Sequence, residues 1–367
     1  MNLSVPDYIL SIKQYVAGKP LEELEREYGI KNSIKLASNE NPLGPSPLAV
    51  RAIQKEMVKL NRYPDANGYY LRNKLSAKLN VPSENIVLGN GSDDIISMLT
   101  RALLSPGDEA IIPRPSFLMY DISVRSVGAL PVYVPLCVSS EAISIDLDAI
   151  KKRISSKTKM IFLTNPNNPT GTIFTRDEFE KFLENIPPEI LIVLDEAYIE
   201  FVRDRRCLNS LDFLDSGRAL VTLRTFSKAY GLAGLRIGYG VMPEEIAGLL
   251  NRIRQPFNSN SLAQAGAIAA LDDENFLKKT ITLVHEGLDY FYDALDRIKI
   301  KYFETQANFL LIDVKKDADK VFKHMLKEGV IVRSMTSYEF PEYIRINAGL
   351  KDENVRFINV FEKVLKL

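Results

Sequence analysis

The sequence contains no tryptophan and only two histidines, His285 and His324, in 367 residues. Two histidines cannot supply a three-histidine zinc site, and no H-E-x-x-H stretch is present. A Ser-His-Asp hydrolase would have to recruit one of the two, yet no G-x-S-x-G elbow exists to present the serine. Both lie in charge-rich, helix-like stretches, LVHEGLDYF and VFKHMLKEG, which predicts surface or helix-packing side chains. Two cysteines, Cys137 and Cys207, exclude a disulfide scaffold and a four-cysteine zinc site, and no metal is expected. No sign of charge dominates, with 47 Lys+Arg against 47 Asp+Glu. The chain therefore lacks the electrostatic footprint of a nucleic-acid binder or of a protein held on an anionic membrane. No apolar run reaches the roughly 18 residues that span a bilayer. The N-terminal stretch MNLSVPDYILSIKQYVAGKP carries polar residues through its short apolar part and no small-residue cleavage site, so no signal peptide is expected. What remains is an ordinary soluble composition, 46% hydrophobic and 26% charged, and the expectation of a reducing, cytoplasmic setting.

At roughly 100–200 residues per domain the length suggests two domains. Short apolar runs recur at Ile86–Leu88, Ala110–Ile112, Val132–Val134, Met160–Leu163, Ile190–Leu194, Leu220–Leu223 and Leu235–Tyr239, many separated by helical stretches. Such alternation predicts an α/β domain with a mostly parallel sheet. Ahead of it, residues 1–35 read as an arm with one helix, LEELEREYG, ended by Gly29. Pro243–Gln255 reads as a helix leading out of the sheet domain. From about residue 256 the pattern changes to long helices, Leu262–Leu271 and Phe276–Ile298, then short strands at Phe309–Val314, Val330–Val332 and Tyr343–Asn347 and a closing helix after Asp352. The division expected is an arm (1–35), a large domain (36–255) and a smaller α+β domain (256–367).

In open α/β sheets ligands sit at the carboxyl ends of the strands, so chemistry is sought just after each apolar run. Gly89-Asn90-Gly91-Ser92-Asp93-Asp94 follows the first run and precedes a helix. It reads as a phosphate cradle at a helix N-terminus, or as a glycine turn with Ser92 or Asp93 as the cap. It matches neither the dinucleotide fingerprint nor a P-loop. Asn165-Pro166-Asn167-Asn168-Pro169-Thr170-Gly171 reads as a rigid turn that aims an asparagine amide, or as a turn alone. Asp195, in LDEAY, ends a buried strand and requires a cationic partner such as a metal, an arginine or a protonated pyridine nitrogen; otherwise it caps the next helix. Lys228 lies in TFSKAYGLAGLR, flanked by hydroxyls and glycines, with Arg236 eight residues on. A lysine desolvated beside another cation has a lowered pKa and can form a Schiff base. Thr225, Ser227 and Arg236 suit a phosphate ester. Together these groups are the ones pyridoxal phosphate demands.

The chain resembles the fold-type I pyridoxal-phosphate aminotransferases, class II, from end to end. NNPTG, DEAY and SKxxGLxGxR belong to that wider group. YVAGKP, KLASNENPLGPSP, NRYPD, SPGDEAIIPRPSF, TFSKAYGLAGLRIGY, RQPFNSNSLAQAGAIAAL, VIVRSM and YIRINAG resemble the histidinol-phosphate aminotransferase family in particular. The resemblance implies a large domain with a mostly parallel sheet flanked by helices, a smaller α+β C-terminal domain, and pyridoxal 5'-phosphate as cofactor. It implies that Lys228 carries the cofactor and then moves the substrate proton, and that Asp195 pairs with the pyridine nitrogen. Tyr198 and Asn168 would hydrogen-bond the ring oxygen, and Phe117 would stack on the ring where many relatives carry tyrosine. The phosphate would meet Gly91, Ser92 and Asp93 (through backbone N–H), Thr225, Ser227 and Arg236. Tyr63 of RYPD resembles a tyrosine that reaches the neighbouring subunit's phosphate, which implies a homodimer with shared active sites. Arg345 and Arg333 would hold the carboxylates of glutamate or the phosphate of histidinol phosphate, with Tyr15 and Asn39 as pocket wall and Glu40 as the candidate for reading the imidazole.

The activity implied is amino transfer between L-histidinol phosphate with 2-oxoglutarate and imidazole acetol phosphate with L-glutamate, in histidine biosynthesis. Three alternatives stand beside it: an aromatic amino-acid aminotransferase, a decarboxylase of threonine-phosphate type, and a non-catalytic cofactor-binding regulator. The last usually carries a fused DNA-binding domain, for which the arm is too short and not basic.

Overall fold

The computed structural model describes residues 3–14 and 19–366. Its main sheet has seven strands: β1 Ile86–Gly89, β2 Glu109–Arg114, β3 Leu130–Pro135, β4 Thr158–Thr164, β5 Leu191–Asp195, β6 Leu220–Thr225 and β7 Gly238–Val241. Their order is β1-β7-β6-β5-β4-β2-β3. The pairs β6–β5, β5–β4, β4–β2 and β2–β3 are parallel, while β7 runs antiparallel to both of its neighbours. The central strands are continuous apolar runs because both faces are covered. Met160 and Phe162 pack with Ile95, Leu99 and Val193 in one layer, whereas Ile161 and Leu163 pack with Phe179, Phe182 and Leu194 in another.

All seven expected runs carry sheet strands, with one shift. The last strand begins at Gly238 rather than at Leu235, because Ala233–Leu235 form a 3-10 turn and Arg236 takes a left-handed conformation at φ +57°. That backbone cannot join a ladder.

The smaller sheet is β8 Tyr302–Phe303, β9 Phe309–Asp313, β10 Arg333–Ser334 and β11 Tyr343–Asn347, in the order β8-β9-β11-β10 and antiparallel throughout. Helices Glu274–Arg297, Ala318–Lys327 and Lys351–Leu365 belong with it. Their apolar residues Val284, Phe291, Phe357 and Phe361 bury against Phe309, Leu310 and Ile344. The stretch expected as one strand at Val330–Val332 is divided. Val330–Ile331 pairs in parallel with Ile34–Lys35, and β10 then joins the small sheet. This ties the chain just after helix Leu21–Tyr28 to the small sheet and leads residues 36–41 between the two sheets' loops. His285 lies in helix Glu274–Arg297, its Nε2 2.8 Å from the Phe201 carbonyl, and His324 lies in helix Ala318–Lys327. Among the described residues no cluster of metal-binding side chains occurs, and no helix is long and apolar enough to cross a membrane.

Candidate active site

The loops after β1, β4, β5 and β6 meet residues 37–39 and the small sheet around a cavity of about 410 Å³. It lies at the carboxyl ends of the parallel strands, where open α/β sheets hold their ligands.

Lys228 follows β6 and donates from Nζ to the Ser38 carbonyl at 3.1 Å. Its amine lies 6.0 Å from the centre of the Tyr198 ring. Burial, reinforced by the Arg345 and Arg236 guanidinium groups, lowers its pKa to about 8. A usable fraction is therefore free amine near neutral pH.

Asp195 terminates β5, buried at 4% exposure. Its carboxylate accepts from the Tyr120 hydroxyl at 2.7 Å and from the Ala197 N–H at 3.1 Å. Burial pushes the carboxyl up to about 6, against those two donors. Among the described residues no cation pairs with it. A buried acid with an open side toward a cavity is a site for a cationic group. The helix-capping alternative does not hold, since the next helical turn, Ile199–Phe201, is preceded by Tyr198 and not by Asp195. The next residue, Glu196, meets different surroundings: fully buried, it pairs with Arg224 at 2.7 Å and accepts from the Ser210 N–H at 2.7 Å.

The Tyr198 hydroxyl accepts from Asn39 Nδ2 at 3.0 Å, and burial pushes its pKa up to about 12, so it stays a neutral donor. Asn168 Oδ1 accepts from Arg345 Nη1. Arg345, on β11, also donates from Nη2 to the Ala37 carbonyl at 3.3 Å and lies 5.0 Å over the Phe309 ring. Its Nε is buried with no partner, a donor left over for an anion. Arg333, on β10, reaches the same cavity, as does Phe117, whose ring meets Tyr120 edge-on at 5.6 Å.

The loop after β1 leaves the first turn of helix Ser92–Leu103 without a side-chain cap. Gly91, at φ +90°, is the residue before that helix, so neither Ser92 nor Asp93 is the cap. A Cβ on Gly91 would displace the Asp93 carboxylate and the Arg236 guanidinium, and the backbone at φ +90° favours glycine in any case. Arg236 pairs with Asp93 at 2.8 Å and approaches Ser227 Oγ at 3.5 Å, while Thr225 Oγ1 accepts from the Ser227 N–H at 3.0 Å. Open N–H groups, two hydroxyls and a guanidinium suit a phosphate. With the buried acid, the neutral phenol and the lysine amine, these residues fit pyridoxal phosphate.

Of the residues singled out from sequence, the structure brings together Lys228, Asp195, Tyr198, Ser92, Asp93, Phe117, Asn168, Thr225, Ser227, Arg236, Arg345, Arg333 and Asn39, with Gly91 one residue behind. Tyr63 stands apart in the single chain: it is 82% exposed and stacks on Phe257 at 4.6 Å. Glu40 pairs with Lys35 at 3.0 Å and is not among the cavity's lining residues. Tyr15 falls outside the described residues. Sequence reasoning missed Tyr120, a tyrosine in a helix with no motif around it. It also missed the carbonyls of Ala37 and Ser38, whose role is backbone and leaves no mark in side-chain chemistry.

Residues 31–358 match the family model of aminotransferase class I and II. The chain is 45% identical to a histidinol-phosphate aminotransferase of Moorella thermoacetica over 358 residues, which is 97% of this chain and 92% of that protein. It is 43% identical to one of Caldicellulosiruptor saccharolyticus over 98% of this chain and 99% of that protein. Among solved structures, a Sinorhizobium meliloti histidinol-phosphate aminotransferase in complex with pyridoxal-5'-phosphate superposes with a TM-score of 0.90 at 26% identity, over 98% of this chain and 96% of that chain. A Thermus thermophilus aspartate aminotransferase double mutant shares the fold, with a TM-score of 0.84 at 21% identity and full coverage of both chains. The chain thus belongs to the class I and II aminotransferases and, within them, to the histidinol-phosphate aminotransferase family.

Proposed function

We propose that this chain is a pyridoxal-phosphate-dependent transaminase that converts L-histidinol phosphate and 2-oxoglutarate to imidazole acetol phosphate and L-glutamate, a step of histidine biosynthesis. The observation that carries this reading is the partly desolvated Lys228 amine in one cavity with an unpaired buried acid and two arginines. When bound, pyridoxal phosphate supplies an electron sink for the pair left by a broken Cα–H bond.

The protein's own groups do the rest. Lys228 Nζ, as free amine, takes the proton from the substrate Cα and holds it as ammonium against the Ser38 carbonyl. Asp195 would pair with the pyridine nitrogen and keep a proton there, since a neutral pyridine would leave the carboxylate's charge buried and uncompensated. Tyr198 and Asn168 would hydrogen-bond the ring oxygen, and Phe117 would stack on the ring. Ser227, Thr225, Arg236 and the N–H groups after Gly91 would hold the phosphate. Arg345 and Arg333 would grip the phosphate of histidinol phosphate or the two carboxylates of glutamate, since a planar fork serves either anion. One pocket can therefore take histidinol phosphate in one half-reaction and glutamate in the other.

The assembly proposed is a homodimer with shared active sites. Supporting it, Val58, Leu60, Tyr63, Tyr69 and Tyr70 are all more than half exposed on one stretch of chain. So much apolar surface is characteristic of an interface. Light scattering at micromolar concentration should return twice the chain mass, and a monomer would reject this part. For the reaction, the absorbance spectrum decides. A visible band on adding pyridoxal phosphate should disappear with histidinol phosphate and return with 2-oxoglutarate. No conversion of that substrate pair by pure holoenzyme would sink the proposed activity.

A further inference from the structure

Four consecutive backbone carbonyls, from Leu36 to Asn39, each accept a hydrogen bond from a different residue. Leu36 accepts from the Asn347 N–H at 3.0 Å, and Ala37 from Arg345 Nη2 at 3.3 Å. Ser38 accepts from Lys228 Nζ at 3.1 Å, and Asn39 from Asn308 Nδ2 at 3.1 Å. The segment is held on its N–H side as well: Leu36 donates to the Ile331 carbonyl at 2.8 Å, and Asn39 to Asn347 Oδ1 at 3.0 Å. Asn39 itself is left-handed, at φ +55°. Asparagine tolerates that region better than most residues but still at a cost, so the conformation persists only where neighbours over-determine it.

Two buried side-chain amides do the over-determining. Asn308 and Asn347 are 1% and 3% exposed, and neither lines the cavity. Asn308 lies just before β9, and Asn347 ends β11 opposite Phe309. Between them they clamp both peptide groups of Asn39, whose side chain reaches the Tyr198 hydroxyl and whose preceding carbonyl reaches Lys228. An amide buried in a small-sheet core is expensive unless its hydrogen bonds matter.

We propose that Asn308 and Asn347 are positioning residues for amino transfer, holding residues 36–39 so that the Ser38 carbonyl seats the Lys228 amine and Asn39 seats the Tyr198 hydroxyl. This rests on the reading of Lys228 as the reacting amine. Asn308 and Asn347 then tune the proton affinity of a lysine that neither of them hydrogen-bonds. Lys228 faces Arg345, Arg236, Glu40, Asp195 and Tyr198 as charged or titratable neighbours, and neither asparagine side chain hydrogen-bonds any of them. The Ser38 carbonyl is the hydrogen bond that the clamped segment gives the amine directly. A carbonyl accepting from an ammonium favours the charged form, so slackening it lowers the lysine's pKa.

The test is Asn308→Ser in the full chain, chosen because the Asn308 amide donates to the Asn39 carbonyl and a serine is too short to reach it. Asn347→Ser and the double variant complete a cycle. Each is stripped of cofactor, checked for native circular dichroism, and labelled at Lys228 with a small acylating reagent from pH 6 to 10, read by mass spectrometry. The expected result is a Lys228 titration lower by about one pH unit in each single variant, the energy of one charge-assisted hydrogen bond. The double variant should fall short of the sum, because both residues act on one segment. In the loaded enzyme kcat should fall about tenfold with KM for histidinol phosphate little changed, since Arg345 and Arg333 remain. A folded Asn308→Ser chain whose Lys228 titrates as in the parent overturns the proposal. If Asn347→Ser fails to fold, Asn308→Ser alone decides. A parent chain that never forms a visible band would instead reject the proposed activity and leave the labelling result standing.

Discussion

Tyr120→Phe isolates one hydroxyl in the site. The Tyr120 ring is fully buried, stacked on Phe162 at 4.7 Å and edge-on to Phe117 at 5.6 Å. Phenylalanine keeps both contacts, so the variant should fold. What it removes is the 2.7 Å donation to Asp195, together with a 2.9 Å contact to Thr164. A hydrogen bond to a charged acceptor contributes about 1.5–3 kcal/mol. At about 1.4 kcal/mol per pH unit, its loss raises the Asp195 pKa by about one to two. The parent value, already pushed up to about 6, would then move to between about 7 and 8. The acid must be ionised to pair with a pyridine cation, so cofactor uptake weakens as pH falls through that value. The assay is the affinity of the stripped chain for pyridoxal phosphate from pH 5 to 9, followed by the visible band. The parent should weaken below about pH 6, and the variant already below pH 7 to 8. Superimposable pH curves would refute the assignment of Tyr120 as the donor that keeps Asp195 ionised.

Other outcomes follow from the same geometry. Asp195 has its pKa raised in the fold from 3.8 to about 6, so its contribution to stability is present below about pH 4 and is lost as pH rises to about 6. The loss is about 3 kcal/mol, and Asp195→Asn should spare it: urea midpoints of the stripped chains should diverge in the variant's favour between pH 4 and 8, and parallel curves would refute this. Arg345→Lys loses a fork that also bonds Asn168 and Ala37, and kcat/KM for both histidinol phosphate and glutamate should fall at least tenfold, by about one charge-assisted hydrogen bond; loss for only one substrate would refute a common anion grip. Gly91→Ala, at φ +90° with Asp93 and Arg236 in the way, should weaken pyridoxal phosphate binding in equilibrium dialysis by at least tenfold; unchanged affinity would refute the cradle.

The sheet was legible because its strands are buried on both faces and so read as unbroken apolar runs. The site was legible because four loops place charged or hydroxyl residues at the ends of those runs, where apolar residues would be easier to accommodate. Two kinds of feature escaped. Arg236 ends its turn in a left-handed backbone that hydropathy does not register, which put the start of β7 three residues early. Tyr120, Asn308 and Asn347 act by contacts 75, 269 and 308 residues away in sequence. No local pattern encodes such pairings. Asn347 sits inside YIRINAG, where the arginine drew the attention, yet nothing in the string says that its amide meets residue 39.

Asp195 and Glu196 are adjacent acids with opposite fates, one kept without a counter-ion for a ligand, the other matched to Arg224 inside the protein. Only the register of β5 against its neighbours decides which acid goes where, since a shift of one residue turns every side chain to the other face. Deleting one of residues 192–194 would set Glu196, one methylene longer, in the place of Asp195 and Ala197 in the place of Glu196. Arg224 would lose its buried partner, and the carboxylate that a ligand must meet would be misplaced by a bond length. A deletion there is thus expected to cost stability and activity together. For this strand, length itself carries the catalytic information.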